Sequence, residues 1–339
     1  MKKINVAING FGRIGRMTAR VLLNQPNTQL VAVNDLTDTK TLAHLFKYDS
    51  IHRAFQGKVE EGVGNIKIND RVIHAFSEKD PSKLPWKELG IDVVLECTGK
   101  FLDRESALMH LAAGAGKVVL SAPSKDKDGV KVIVLGVNDH TLTGNEKIIS
   151  NASCTTNNAA PMLKVLDDHF GIESAFVTTI HSYTGDQHLH DAPHRDLRRA
   201  RAAAINIIPT STGAAKALND VLPQLNGRIG GAGIRVPVPN GSLSDITCIL
   251  KNTPSVDEIN QAFKISSEGF LKNILQYTMD PIVSTDIIDN PSSCIFDSQL
   301  TSVLDKMVKV VGWYDNEIGY SNRLAEMAEK FFRLPGNSN

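Results

Sequence analysis

The stretch SNASCTTNN, Ser150 to Asn158, sets one cysteine among small polar residues, where the apolar run KIIS gives way to AAPMLKVLDDHF. In the latter, Met162, Leu163, Val165, Leu166 and Phe170 recur at helical spacing. Ser153 suits the helix N-cap, which places Cys154 in the first turn. Unpaired N–H groups and the positive end of the helix dipole there favour a thiolate, the form in which sulfur is a nucleophile. A free cysteine is more often a small buried apolar residue, and on Cys154 alone that reading stands.

A nucleophilic thiol needs a base. His181 closes the apolar run FVTTI and opens the polar loop SYTGDQ, so an imidazole within reach of Cys154 would take and return its proton. A histidine at a strand end is more often structural, and the chain has ten. His44, His52, His74, His110, His140 and His169 have no supporting context, and His188, His190 and His194 lie in a polar segment. Two stretches suit anions. PTSTGAAKAL, Pro209 to Leu218, offers hydroxyls and a glycine before a helix. RVPVPNGS puts Arg235 before a proline-stiffened turn, where a guanidinium can fork onto phosphate oxygens or make a surface ion pair. The cluster Arg195, Arg198, Arg199 and Arg201 fits a solvated run, a subunit contact or an anion site, with structural roles favoured for most of them.

A third group points to a nucleotide. NGFGRIG places Gly10, Gly12 and Gly15 as GxGxxG directly after a strand and at the mouth of a helix. Asp35 ends the next strand, 20 residues after Gly15. Glycines permit the tight turn and close approach to a pyrophosphate, while a carboxylate at Asp35 accepts from ribose hydroxyls and repels a 2′-phosphate. The pair therefore favours NAD over NADP.

These groups need a frame to hold them. Ile4 to Gly10, Gln29 to Asp35, Ile91 to Gly99 and Lys117 to Pro123 read as buried strands, with helices over Ile14 to Leu23 and Arg104 to Ala113. That alternation predicts a Rossmann-type doubly wound parallel sheet in an α/β fold. After Cys154 the texture changes to longer alternating runs: Ala175 to Thr184, Ser244 to Leu250 and Lys306 to Asp315. These predict a second, α+β catalytic domain with a mixed or antiparallel sheet, and helices near 212–222 and 256–268. The expected division is 1–153 for the nucleotide domain and 154–315 for the catalytic domain, with a C-terminal helix in 316–339 returning to the first and a frayed PGNSN end.

The totals agree. The 339 residues suggest two domains, and 42% hydrophobic with 22% charged residues describes an ordinary globular chain. Lys plus Arg equals Asp plus Glu at 37 each, so no net charge advertises nucleic acid or an acidic membrane. Cys97, Cys154, Cys248 and Cys294 show neither CxxC nor metal-ligand spacing, which suits a reducing compartment; no metal is expected. With no signal-like or membrane-spanning run, the expected location is the cytoplasm.

Taken in order, INGFGRIGR, HLFKYDS, ECTG, SNASCTTN, the histidine loop, RRARAAA, IIPTSTGAAKA, RVPVPN and WYDNEIGYSNR resemble the phosphorylating (type I) glyceraldehyde-3-phosphate dehydrogenase family over nearly the whole chain. The resemblance implies phosphorylating oxidation of D-glyceraldehyde 3-phosphate to 1,3-bisphosphoglycerate with NAD, in glycolysis or gluconeogenesis, through a thioester on Cys154 with His181 as base. It implies substrate and inorganic phosphate held by Ser153, Thr155, Thr184, Arg199, Thr212, Gly213 and Arg235. Cofactor contacts fall at Gly10, Gly12, Arg13, Ile14, Asp35, Lys79, Ser121 and Asn316. It further implies a homotetramer, with the loop around 182–207 between subunits.

Departures from the family pattern are Asn158 for its second cysteine, Arg53 for its usual glycine, Lys79 for arginine, and Val238 and Gly241 for threonine and valine. Ala192 lies on the side permissive for NADP and Pro193 on the NAD side. NADP is thus the second choice of cofactor. Erythrose-4-phosphate dehydrogenase is the rival activity, against which the intact Pro209 to Lys216 stretch speaks. A nucleic-acid-binding role or a catalytically dead structural paralogue ranks behind both.

Overall fold

The computed structural model describes residues 2–126 and 129–335. Residues 336–339, the end of the expected returning helix and of the PGNSN tail, lie outside the described residues. The chain forms two compact units, one of residues 1–133, 140–152 and 321–339, the other of residues 134–139 and 153–320.

In the first unit the strands are β1 (Ile4–Asn9), β2 (Thr28–Asn34), β3 (Val59–Gly62), β4 (Asn65–Ile68), β5 (Arg71–Phe76), β6 (Val93–Glu96), β7 (Lys117–Leu120), β8 (Lys131–Val132) and β9 (Ile148–Ser150). They form one sheet in the order β3-β4-β5-β2-β1-β6-β7-β9-β8. Helices α1 (Arg13–Asn24), α2 (Thr39–Lys47) and α3 (Arg104–Ala112) lie between strands in the chain. From β5 through β2, β1, β6, β7 and β9 to β8 every pairing is parallel. All four residues of β6 and of β7 are buried, as a sheet covered on both faces requires. The sheet's far edge departs from the all-parallel expectation, because β3, β4 and β5 pair antiparallel. Their short, half-exposed runs lack the apolar continuity that marks a buried strand. The turn at Gly64, with φ +68°, is the local signal for that hairpin.

Under the centre of this sheet lies a polar chain among apolar neighbours. Trp86 Nε1 donates to His110 Nδ1 at 3.0 Å, and His110 Nε2 lies 3.1 Å from Glu96. Glu96 also accepts from Asn9 at 2.6 Å, and Asn9 from Asn34 at 2.7 Å. His110, unremarkable in sequence, is thus a buried structural group tying α3 to β6 and β1.

The second unit opens with α4 (Cys154–Phe170), followed by β10 (Ile172–Ser182), β11 (Ile208–Thr210), α5 (Ala214–Val221), β12 (Ile229–Val236), β13 (Ser242–Leu250) and α6 (Val256–Glu268). It continues through β14 (Leu275–Thr278), β15 (Cys294–Asp297), β16 (Ser302–Leu304) and β17 (Met307–Tyr314) to the start of α7 (Ile318–Arg333), whose residues from Ser321 belong to the first unit. The sheet runs β11-β12-β10-β13-β17-β15-β14, with β16 added on β17. It is mixed: β10 pairs β12 and β14 pairs β15 in parallel, and the rest are antiparallel. Helix α4 is buried almost all round from Thr155 to Leu166, rather than on one face, because it runs through the unit's core. Ser255 closes a capping box with Glu258 at the start of α6.

Candidate active site

The nucleotide cradle forms where β1 turns into α1. Gly10 adopts φ +93°, and a Cβ there would fall 2.6 Å from the carbonyl carbon of Cys97. A Cβ on Gly15 would fall 2.1 Å from the Gly10 carbonyl oxygen. Both positions therefore require glycine. At Gly12 an added Cβ meets nothing within 4 Å, and Gly12 supplies no side-chain cap to α1. The helix entrance is therefore open to an anion on that side. Asp35, just past β2, accepts from the backbone N–H of Phe11 at 2.8 Å and of Thr37 at 3.2 Å. These bonds fix a half-buried carboxylate beside the glycine turn. The arrangement fits a dinucleotide, with the turn for the pyrophosphate and the carboxylate for ribose hydroxyls.

Arg13 is held by Asp49 through two bonds of 3.0 and 3.2 Å, a support the sequence did not reveal. Burial disfavours the Asp49 charge, but Arg13 and the N–H groups of His52 and Ile51 outweigh it and bring its pKa down to about 2. Ser121 follows β7 and donates its N–H to the Glu96 carbonyl at 2.9 Å. Ile14 is half-buried in α1, and Lys79 is exposed beyond β5.

The thiol stands at the other unit's helix entrance. Ser153 caps α4, accepting from Thr156 N–H at 3.1 Å, and Cys154 is the first helical residue. Ala152, immediately before, holds φ +55° while fully buried, a conformation that costs a non-glycine residue about 1 kcal/mol or more. The Cys154 sulfur lies 3.4 Å from His181 Nε2. The Ser182 carbonyl, an acceptor only, lies 2.7 Å from His181 Nδ1, and in the tautomer with the proton on Nδ1 the Nε2 lone pair faces the thiol. Parallel pairing of β10 with β12 sets His181 opposite Arg235. Arg235 Nη1 lies against His181 Nδ1 and donates to the same carbonyl at 3.1 Å.

Burial, then the Arg235 charge, lowers the His181 pKa to about 3. Burial also raises the Cys154 thiol, and Arg235 and Thr155 only partly offset it. The backbone N–H groups at the helix entrance favour the thiolate, but burial outweighs them. Proton transfer from Sγ to Nε2 places opposite charges side by side, and their attraction counters the burial that opposes each alone.

The other candidate anion ligands sit on the loop after β10 and between β11 and α5. Arg199 donates to Thr210 Oγ1 at 2.9 Å, to the Ser211 carbonyl at 3.3 Å and to Asp186 at 2.7 Å. Asp186 also takes the Thr184 hydroxyl, so one carboxylate that the sequence did not single out joins two candidate phosphate donors. Thr212 accepts from Ala214 N–H at 3.2 Å, and Gly213 caps α5 without a side chain. Arg201 pairs instead with Asp191 at 2.8 Å, on the surface. Asn316 is fixed by three donors to its Oδ1: Ser182 Oγ at 2.9 Å, Ser242 Oγ at 2.8 Å and Gly241 N–H at 3.2 Å. Its amide nitrogen is thereby the end presented as a donor.

Two family models match the chain. One described as the C-terminal domain of glyceraldehyde 3-phosphate dehydrogenase matches residues 153–316, and one described as its NAD binding domain matches residues 4–104. A glyceraldehyde-3-phosphate dehydrogenase of Mycobacterium bovis is 55% identical over 331 residues, covering 96% of this chain and 97% of the relative. A second, from Clostridium pasteurianum, is 52% identical over 336 residues, covering 97% and 98%. The chain belongs to the glyceraldehyde-3-phosphate dehydrogenase family.

Two departures from the family pattern now have a physical description. Arg53 adopts φ +63°, the left-handed region where glycine is at ease, so the substitution carries a backbone cost. Asn158, in place of the family's second cysteine, donates from Nδ2 toward the carbonyls of Gly312 at 3.2 Å, Trp313 at 3.3 Å and Ser293 at 3.4 Å. It fastens α4 to β17, a bonding role a thiol cannot reproduce at several acceptors.

Proposed function

We propose that this chain catalyses the phosphorylating oxidation of D-glyceraldehyde 3-phosphate to 1,3-bisphosphoglycerate, with NAD as cofactor and a thioester on Cys154. The observation that carries the reading is the Cys154 sulfur 3.4 Å from His181 Nε2 at the entrance of α4. His181 Nε2 takes the thiol proton as Sγ bonds to the aldehyde carbon and passes it to the aldehyde oxygen, giving a hemithioacetal on Cys154 and a neutral imidazole. NAD, when bound, supplies the hydride acceptor that converts this adduct to a thioester. The imidazole is the acceptor for the adduct's hydroxyl proton in that conversion. Inorganic phosphate then attacks the thioester carbonyl, and the Cys154 sulfur leaves with its electron pair and regains a proton from His181.

In this reading Ser153, Thr155, Thr184, Arg199, Thr212, Gly213 and Arg235 hold the two phosphates. The Arg235 charge favours the thiolate form of Cys154 and stabilises charge developing there. Gly10, Gly12, Arg13, Ile14, Asp35, Lys79 and Ser121 hold the cofactor, with Asn316 Nδ2 donating to the nicotinamide carboxamide. In this reading the first unit holds the cofactor and the second carries the catalytic groups, with the cofactor contact Asn316 in the second. A homotetramer working in the cytoplasm completes the proposal. The exposed side chains of Leu189, Leu197, Ile205 and Ile207 support an intersubunit place for the 182–207 loop.

The test follows absorbance of reduced nicotinamide with glyceraldehyde 3-phosphate, in the presence and absence of phosphate, with NAD or NADP. Phosphate-dependent turnover with NAD, lost in Cys154→Ser, is expected. Turnover with erythrose 4-phosphate in its place would overturn the substrate assignment.

A further inference from the structure

The reaction as proposed leaves Tyr314 without a part, although it is almost completely buried beside the reacting groups. Its ring meets the His181 imidazole edge to face, with centroids 5.9 Å apart. Its hydroxyl lies 2.9 Å from Thr155 Oγ1 and 2.8 Å from Thr179 Oγ1. Thr155 follows the nucleophile in α4, Thr179 lies two residues before His181 in β10, and Tyr314 ends β17. Three hydroxyls from three elements thus form an unbroken chain.

Each hydroxyl has one hydrogen to donate and can accept as well, so the chain can run in two senses. In one, Thr155 donates to Tyr314, Tyr314 to Thr179, and Thr179 to the Leu243 carbonyl at 3.4 Å, a long bond and so a weak one. In the other, Thr179 donates to Tyr314 and Tyr314 to Thr155, which frees the Thr155 hydrogen. Only the second sense lets Thr155 donate to an anion in front of α4. A bound phosphate, which only accepts at its charged oxygens, selects it. The phenol keeps its proton throughout, since burial and then the nearby Cys154 raise its pKa well above the ordinary value. What reverses is therefore the direction of donation, with no net proton moved.

We infer that Thr179 and Tyr314 are positioning residues which turn the Thr155 hydroxyl into a donor for the inorganic phosphate that attacks the thioester. This rests on the assignment of Thr155 as a phosphate ligand, so the experiment tests that separately. The readouts are the KM for phosphate in steady state and the rate of the first turnover with saturating aldehyde and no phosphate. Thr155→Val is expected to raise the KM for phosphate roughly tenfold or more, the size of a hydrogen bond to a charged group. Tyr314→Phe and Thr179→Val, neither of which removes a group that touches the anion, are expected to raise it roughly three- to tenfold. Thr179→Ser, which restores the hydroxyl, is expected to return it to the parent value. The first turnover should change less than about twofold in the Tyr314 and Thr179 variants, because phosphate takes no part in it.

If Thr155→Val raises the KM but Tyr314→Phe and Thr179→Val do not, the hydroxyl chain is overturned while the phosphate assignment stands. An unchanged KM in Thr155→Val overturns the phosphate assignment, and the inference with it. Equal slowing of the first turnover and the phosphate step in the Tyr314 and Thr179 variants would mean they merely hold the fold, which also overturns the inference.

Discussion

His181 turns one ring nitrogen to the Ser182 carbonyl at 2.7 Å and the other to the Cys154 sulfur at 3.4 Å. With its proton on Nδ1 the imidazole accepts from the thiol, so thiol reactivity is a property of the pair. His181→Asn is expected to slow alkylation of Cys154 by iodoacetamide at pH 7 at least tenfold and to move its pH midpoint upward. The upward direction follows because burial already raises the thiol and the variant removes the proton acceptor. Labelling rates followed by mass spectrometry from pH 5 to pH 10 read this. Identical profiles for the two proteins would remove His181 from the activation of Cys154.

Asp35 accepts from the Phe11 N–H at Oδ2 and from the Thr37 N–H at Oδ1, so Asn removes the charge and keeps one of the two acceptors. Asp35→Asn is expected to raise kcat/KM for NADP roughly tenfold by ending repulsion of the 2′-phosphate, while that for NAD changes less. Parallel kinetics with the two cofactors decide it, and an unchanged preference would move the discrimination to Ala192 and Pro193.

Asp49 gives the first unit a pH-dependent support. Its folded pKa of about 2 lies below the ordinary 3.8, so its contribution is complete above pH 4 and is lost as pH falls through 2. The shift corresponds to about 2 kcal/mol, an upper figure because Arg13 is partly exposed. Asp49→Asn should therefore lower the melting temperature at pH 7 by several degrees, and the gap from the parent should narrow between pH 5 and pH 3. A gap that stays constant with pH would show that the carboxylate's charge is not what stabilises this loop.

Arg53 tests backbone strain directly. Arg53→Gly relieves a φ of +63° at an exposed side chain, and the bond from Arg20 to the Arg53 carbonyl at 3.2 Å uses only main chain at this position. Stability should rise by about 1 kcal/mol. Denaturant titration measures it, and a loss of stability would reveal a contribution of the Arg53 side chain larger than the strain.

The sequence by itself determined the chemistry's cast and its local frame. The glycine turn, Asp35, the Ser153 cap and Cys154 are fixed by neighbours a few residues away, and the buried parallel strands show as unbroken apolar runs. Short-range backbone geometry and burial period are written locally, which is why these were legible. The antiparallel β3–β5 edge was not, because its half-exposed strands leave only a weak apolar signal. Tertiary structure alone decided the distances between groups remote in the chain: Cys154 to His181, His181 to Arg235 across β10 and β12, and Thr155 to Thr179 through Tyr314. It also chose Asp186 and Asp49 as the carboxylates that hold Arg199 and Arg13. An exposed aspartate and a site aspartate look alike in a single sequence. Strand register and burial tell them apart, and those arise only when the chain has packed.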